Sequence, residues 1–182
     1  MSIRASVFIA TSLDGFIARK NGDIDWLEKA NKSVPEGEDC GFVNFMNSVD
    51  SLVMGKKSYE KVLTFDEWPY GDKPVIVQSR SEMKIPDRLA NSVSHSLETP
   101  RNLCERLFNK GAKRLYIDGG MTIQRFLADG LITDLTITVI PILIGTGIPL
   151  FGEIVRDISL QHISTKTYEF GFVQNTYEVI GS

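Results

Sequence analysis

Apolar residues along the chain fall into short unbroken runs separated by stripes of helical spacing, a pattern of strands joined through single helices. Ile3 to Ala10 reads as a buried strand, closed by a turn at Asp14-Gly15 and followed by a short strand, Phe16 to Ala18. Arg19 to Glu38 is polar apart from the anchor pair Trp26-Leu27 and reads as a long loop, a feature that in a compact domain is usually functional. Glu38 to Asn47 reads as a helix with Phe42, Val43 and Met46 on one face. Ser51 to Met54 is a strand ending at Gly55, and Ser58 to Leu63 the helix after it.

Lys73-Pro74 introduces a strand, Val75 to Val77, that ends in the polar turn Gln78-Ser79-Arg80-Ser81. Thr99-Pro100 is a helix start, an N-cap followed by proline at the first helical position, with Leu103, Cys104, Leu107 and Phe108 as the buried stripe and Gly111 as the stop. Leu115 to Ile117 is a strand running into Asp118-Gly119-Gly120, and Thr122 to Asp129 the next helix. Leu135 to Ile140 alternates apolar residues with threonine as a strand does. Gly145, Gly147 and Pro149 break the chain before a terminal strand pair, Ser159 to Lys166 and Phe172 to Ile180. These elements predict one α/β domain over residues 1–182, with a mixed, mostly parallel sheet.

Composition narrows the function classes. Twenty Lys+Arg against 23 Asp+Glu give a formal charge of -3, which argues against a protein built mainly for nucleic acid or an anionic membrane. Cys40 and Cys104 lie far apart and the two histidines form no ligand-spaced motif, so neither a disulfide framework nor a metal site is expected. Met1-Ser2-Ile3-Arg4 runs directly into the first strand, so no secretory leader is expected and a cytoplasmic location fits.

Three strands end in glycine or small polar turns: Met54-Gly55-Lys56-Lys57-Ser58, Val77-Gln78-Ser79-Arg80 and Asp118-Gly119-Gly120-Met121-Thr122. In α/β sheets ligands gather at the carboxyl ends of strands, where helix N-termini offer free N–H groups to phosphates. Gly145-Thr146-Gly147 lacks the rest of a dinucleotide fingerprint, no Gly-x-x-x-x-Gly-Lys-Ser/Thr loop occurs, and no Gly-x-Ser-x-Gly elbow is present.

In their order, Ile9-Ala10-Thr11-Ser12-Leu13-Asp14-Gly15, Met54-Gly55-Lys56-Lys57-Ser58-Tyr59-Glu60, Asp118-Gly119-Gly120 and the segment Ile140 to Phe151 resemble the dihydrofolate reductase-like superfamily, including the reductase domain of bacterial riboflavin biosynthesis. The resemblance implies a three-layer fold with helices on both faces of the sheet, NADPH as cofactor and hydride transfer to a C=N bond of a pterin-like or ribosylaminopyrimidine substrate. It places Gly55, Lys56, Lys57 and Ser58 at one phosphate site and Gly119, Gly120, Met121, Thr122 and Ile123 at the pyrophosphate. Ser79 and Arg80 would meet the 2′-phosphate, and Ala10 and Ile17 would clasp the nicotinamide. On the substrate side it implies Asp39 as the ring-binding acid, with Glu38 as its neighbour and rival and Thr138 as its support. It further implies Asp14 beside the nicotinamide, Trp26 on a closing loop, and a homodimer. Burial near Phe42 and Val43 would raise the pKa of Asp39. A nucleotide-binding module without turnover is the competing class.

Overall fold

The computed structural model describes residues 3–181. In chain order these form β1 (Arg4–Ser12), β2 (Phe16–Ala18), α1 (Asp25–Asn31), α2 (Phe42–Asn47), β3 (Ser51–Gly55), α3 (Lys56–Val62) and β4 (Val75–Gln78). A 3-10 turn at Asp87–Leu89 leads to β5 (Val93–Ser96), α4 (Pro100–Asn109), β6 (Arg114–Asp118), α5 (Gly120–Ala128), β7 (Asp134–Ile140), β8 (Ile148–Pro149), β9 (Ser159–Thr167) and β10 (Val173–Ile180). Eight strands make one sheet in the order β5-β4-β3-β6-β1-β7-β10-β9. The pairings from β5 through β7 are parallel, and β10 and β9 close the edge antiparallel.

Alternation along the strands splits the core into two layers. Ala5, Val7, Val53, Leu115 and Ile117 face α4 and α5, where Leu103, Leu107, Ile123 and Phe126 cover them. Leu52, Met54, Val75, Val77 and Tyr116 face the opposite way, under Phe45 of α2 and Tyr59 of α3. Full burial of Ile123, Phe126 and Leu127 contributes about 2 kcal/mol each and fixes α5 on the sheet. Thr99 caps α4 as expected, accepting the Asn102 N–H at 3.3 Å, with Pro100 at the first helical position; Phe108 sits at the rim of the stripe, 37% exposed.

Two readings need correction, and two strands were not foreseen. The polar stretch after β2 is not a continuous loop: residues 25–31 form α1, and Trp26 is buried with Ile140, Tyr168 and Phe172 in a third cluster. The helix expected from Glu38 begins only at Phe42, because Cys40 (φ 54°) and Gly41 (φ 85°) are both left-handed and break the helical path. β5 was not foreseen; its pattern of two buried ends around exposed Ser94 and His95 is too short to register as a strand. β8 arises because Gly147 lets the chain run against the Ala18 carbonyl, where a Cβ would collide, and Ile148 then pairs with Ala18.

At the amino ends of the strands, Asp134 of β7 is buried and fully bonded. It accepts Ser6 Oγ and Thr133 Oγ1 at 2.8 Å each, Arg114 Nη2 at 2.9 Å and Arg4 Nη2 at 3.1 Å. This network ties β1, β6 and β7 together. Among the described residues no helix is long and apolar enough to cross a membrane.

Candidate active site

The opposite, carboxyl ends of the strands gather the glycine turns. β3 and β6 are adjacent, so the turns that follow them, Gly55 into α3 and Gly119-Gly120 into α5, meet there. Gly119 has φ 86°, and a Cβ on it would strike Ser58 Oγ, so only glycine fits between the two turns. A Cβ on Gly120 would sit 3.0 Å from Ile17 Cδ1 and 3.2 Å from the Pro149 carbonyl oxygen, and one on Gly55 would be 3.1 Å from Thr122 Oγ1. Neither α3 nor α5 has a side-chain N-cap, unlike α4. The first bond within α5 is Ile123 N–H to Gly119 C=O at 2.9 Å, which leaves the N–H groups of Gly120, Met121 and Thr122 without an intrahelical acceptor. The cradle therefore has the glycines, the free donors and the positive dipole end that a pyrophosphate requires.

The residues expected around a dinucleotide are brought together with two corrections. Ile17 packs over Gly120, Thr122 over Gly55, and Ser58 over Gly119, while Met121 is 60% exposed beside them. Ile123 is no part of the cradle, since its side chain is in the core and its N–H is spent on Gly119. Lys56 is turned away: its ammonium donates to Glu82 O at 2.8 Å and Ser81 Oγ at 3.1 Å, bracing the loop after β4, whereas Lys57 is exposed. That loop is shaped by Ser79, whose Oγ donates to Ser81 O and whose carbonyl meets His95 Nε2 at 2.7 Å. Ser79 and exposed Arg80 line a groove of about 150 Å³ with Gln78, Leu97, Glu98 and Arg125. A larger cavity of about 350 Å³ lies at the far end of the sheet against Ile154, Val155 and Ile180, away from these turns.

The expected substrate side is rearranged. Asp39 precedes α2 and is exposed, and its carboxylate accepts the Val43 and Gly41 N–H groups at 2.8 Å each. Those bonds lower its pKa, the reverse of the expected rise. Val43 is 57% exposed, so it does not line a ring pocket. Thr138 is buried on β7, yet its Oγ1 accepts from Gln174 Nε2 at 2.9 Å instead of supporting Asp39. Asp14 is a fastener: it accepts Ser12 Oγ at 2.6 Å, the Gly145 N–H at 2.8 Å and the Ile144 N–H at 3.3 Å, tying the β1–β2 turn to the loop before β8. The Ser12 hydroxyl and these amides hold its pKa low. Trp26, locked in the third cluster, is not positioned on a closing loop.

Asp118, the last residue of β6 and the one before the diglycine turn, is the acid that the motif reading passed over. It is half-exposed, yet the protein around it desolvates its carboxyl and pushes the pKa up, against the opposing pull of the Gly119 N–H and the Tyr116 hydroxyl. The Tyr116 bond is long, 3.4 Å, because that hydroxyl also donates to Phe8 O at 3.0 Å. A carboxyl that solvent reaches, yet that is desolvated enough to raise its pKa, has the bias typical of acid–base groups. The signal was available in the sequence: Tyr116-Ile117-Asp118 alternates across a central strand, which leaves Asp118 on the α2 face beside the turn.

The sheet order, the antiparallel final pair and the paired glycine turns define a dihydrofolate reductase-like fold. Dihydrofolate reductase from Enterococcus faecalis, solved as a complex with NADP(H), superposes with a TM-score of 0.61 at 15% identity, covering the whole of both chains. The model of the RibD C-terminal domain matches residues 5–173, and the chain belongs to that family. A putative riboflavin biosynthesis protein from Shewanella sp. PV-4 is 42% identical in solved structure, with a TM-score of 0.91 over 100% of both chains. The uncharacterized protein YwjB of Bacillus subtilis is 35% identical over 92% of this chain and 94% of its own.

Proposed function

We propose that the protein is an NADPH-dependent reductase that adds hydride and a proton across the C=N bond of a ribosylaminopyrimidine-type substrate in its open-chain imine form. The observation that carries this reading is the convergence of Gly55, Ser58, Gly119 and Gly120 into one uncapped cradle with the half-buried, desolvated carboxyl of Asp118 next to it. Bound NADPH would supply the hydride. Gly120, Met121 and Thr122 would hold its pyrophosphate through backbone N–H groups, and Arg80 its 2′-phosphate with a bidentate fork. Ile17 and Ala10 would flank the nicotinamide and keep water out. Asp118, biased by burial toward its protonated form, would hold the proton that the substrate nitrogen takes up. The outward-facing Asp39 favours the pyrimidine over the folate reading, since a pterin ring needs a buried acid at that place. We further propose a homodimer through the β9 edge, which is exposed at every position and carries Leu160 and Ile163; a monomer in sedimentation equilibrium at micromolar concentration would refute this.

The test is direct. Titration with NADPH should quench tryptophan fluorescence, and NADPH should be oxidised on addition of 5-amino-6-(5-phosphoribosylamino)uracil or its dephosphorylated form. Absence of NADPH binding, or binding without oxidation by any pyrimidine or dihydropterin, overturns the reading.

A further inference from the structure

Three charged side chains line the groove of about 150 Å³ at the carboxyl ends of β4 and β5: Arg80, Glu98 and Arg125. The protein neutralises only the acid. Arg106 of α4 reaches both Glu98 oxygens, with Nε 3.0 Å from Oε1 and 2.9 Å from Oε2 and Nη2 2.8 Å from Oε2. Ser96 Oγ donates to the same Oε2 at 2.9 Å. The Arg106 guanidinium holds the Glu98 carboxyl below its ordinary range, so the acid is ionised and its charge is matched. Arg80 and Arg125 are exposed, and among the described residues neither makes an ion pair.

The groove is braced before anything enters it. Ser79 N–H donates to Ser96 O at 3.2 Å, and the buried Gln78 donates through Nε2 to Glu98 O at 3.1 Å. Arg80 follows directly on this clamp. Arg125 stands on α5, the helix whose first residue, Gly120, belongs to the glycine cradle. The two positions are about 7.5 Å apart along the helix axis. Helical side chains lean toward the amino end, which brings the Arg125 guanidinium back toward the strand ends. Two unpaired guanidiniums thus line one groove a short span from the cradle, and its one lining acid is already occupied. A phosphate monoester, with about two negative charges and several acceptor oxygens, matches two such forks. Without Arg106, Glu98 would be free to pair with Arg125 or to repel that phosphate.

We infer that Arg125 joins Arg80 as a second phosphate-binding guanidinium, and that Arg106 is the positioning residue that clears the groove by withdrawing Glu98. The ligand is a nucleotide with one phosphate for the cradle and a separate monoester phosphate on its ribose for the groove. Arg106 acts on it only through Glu98. This deepens the NADPH reading and rests on it for which phosphate enters the groove.

Calorimetry with adenosine 2′,5′-bisphosphate and 5′-AMP isolates the groove, because the two probes differ only in the 2′-phosphate. Wild type should bind the bisphosphate about a hundredfold more tightly, roughly tenfold for each guanidinium. Arg125→Met should cut that ratio about tenfold and leave 5′-AMP binding unchanged. Arg106→Met should lower the ratio about fivefold, because Glu98 then turns to the free guanidiniums. The double variant Arg106→Met/Glu98→Gln should recover the wild-type ratio, a rescue that a mere loss of packing on α4 would not give. If Arg106→Met fails to fold, Glu98→Gln decides, with a ratio at or above that of wild type. Binding of neither probe, equal wild-type binding of both, or an unmoved ratio in Arg125→Met overturns the inference. So does a double variant no better than Arg106→Met, or a fall in Glu98→Gln. NADPH oxidation is measured separately: the predicted ratios without any oxidation sink the reductase reading and leave the groove assignment standing, whereas oxidation with unmoved ratios sinks the assignment alone.

Discussion

The two ends of the central strands each carry an aspartate that the protein desolvates, Asp134 buried and Asp118 half-buried, and the protein treats them in opposite ways. At the amino ends Asp134 receives two guanidinium groups and two hydroxyls, all within 3.1 Å. Burial alone would raise its pKa, but Ser6, Thr133, Arg114 and Arg4 outweigh burial and hold it low. At the carboxyl ends Asp118 receives the Gly119 amide and a 3.4 Å tyrosine bond, and burial prevails. Desolvation of a carboxylate costs several kcal/mol unless charge and hydrogen bonds offset it. The offset is supplied at the end that needs only to hold three strands together. It is withheld at the end that carries the glycine turns of the proposed cofactor cradle. Satisfied charge marks the end that ties the strands together, and a desolvated carboxyl the end where the proposed site lies.

Breaking the satisfied end should produce the larger effect. Asp134→Ala leaves Arg114 and Arg4 without their shared anion and Ser6 and Thr133 without their acceptor. Urea unfolding should show a loss of about 3 kcal/mol or more. NADPH affinity of the fraction that remains folded should be unchanged, because the cradle lies at the other end of the strands. A loss below about 1 kcal/mol would show that the network is replaceable by water.

The other end should respond chiefly in activity, with no loss of stability. Asp118→Asn keeps the shape of the side chain and removes its ability to hold a transferable proton. It should lower kcat by about a hundredfold with NADPH affinity retained, the usual range for removal of a general acid. Its urea midpoint should equal or exceed that of wild type. An Asp118→Asn enzyme with full turnover would return the acid role to solvent.

The same contrast explains which parts of the molecule were legible in the sequence. Strands with long apolar runs, such as β1 and β3, and helices with distinct caps, such as α4, were readable because local chemistry fixes them. The glycine turns were readable for the same reason: at Gly119 no other residue fits. Trp26 was misread because polar flanks resemble a loop, and only the packing of Ile140, Tyr168 and Phe172, all distant in sequence, gives α1 a place to dock. Asp39 was expected to be buried because the resemblance implied a ring-binding acid there, while the left-handed pair Cys40-Gly41 that follows it has no strong local signature. Asp118 gains its meaning from tertiary surroundings, through the desolvation of its carboxyl.

The pH dependence of stability puts the comparison in its sharpest form, since the two aspartates should contribute with opposite sign. The folded pKa of Asp134 lies below the ordinary value of 3.8, so its stabilisation is complete above that value and is lost as pH falls through the folded pKa. The folded pKa of Asp118 lies above 3.8, so its ionised form opposes folding at neutral pH, and that opposition is relieved as pH falls from the folded pKa toward 3.8. Urea unfolding of wild type, Asp118→Asn and Asp134→Asn should therefore be compared between about pH 7 and pH 3. Asp118→Asn should be the more stable protein at neutral pH, with its advantage shrinking on acidification and gone below the ordinary carboxylate value. The deficit of Asp134→Asn should stay constant over that upper interval and close only at the acid end. An Asp118→Asn profile running parallel to wild type throughout would mean that the carboxyl is solvated in the folded protein. It would then be no better placed to hold a proton than any surface aspartate.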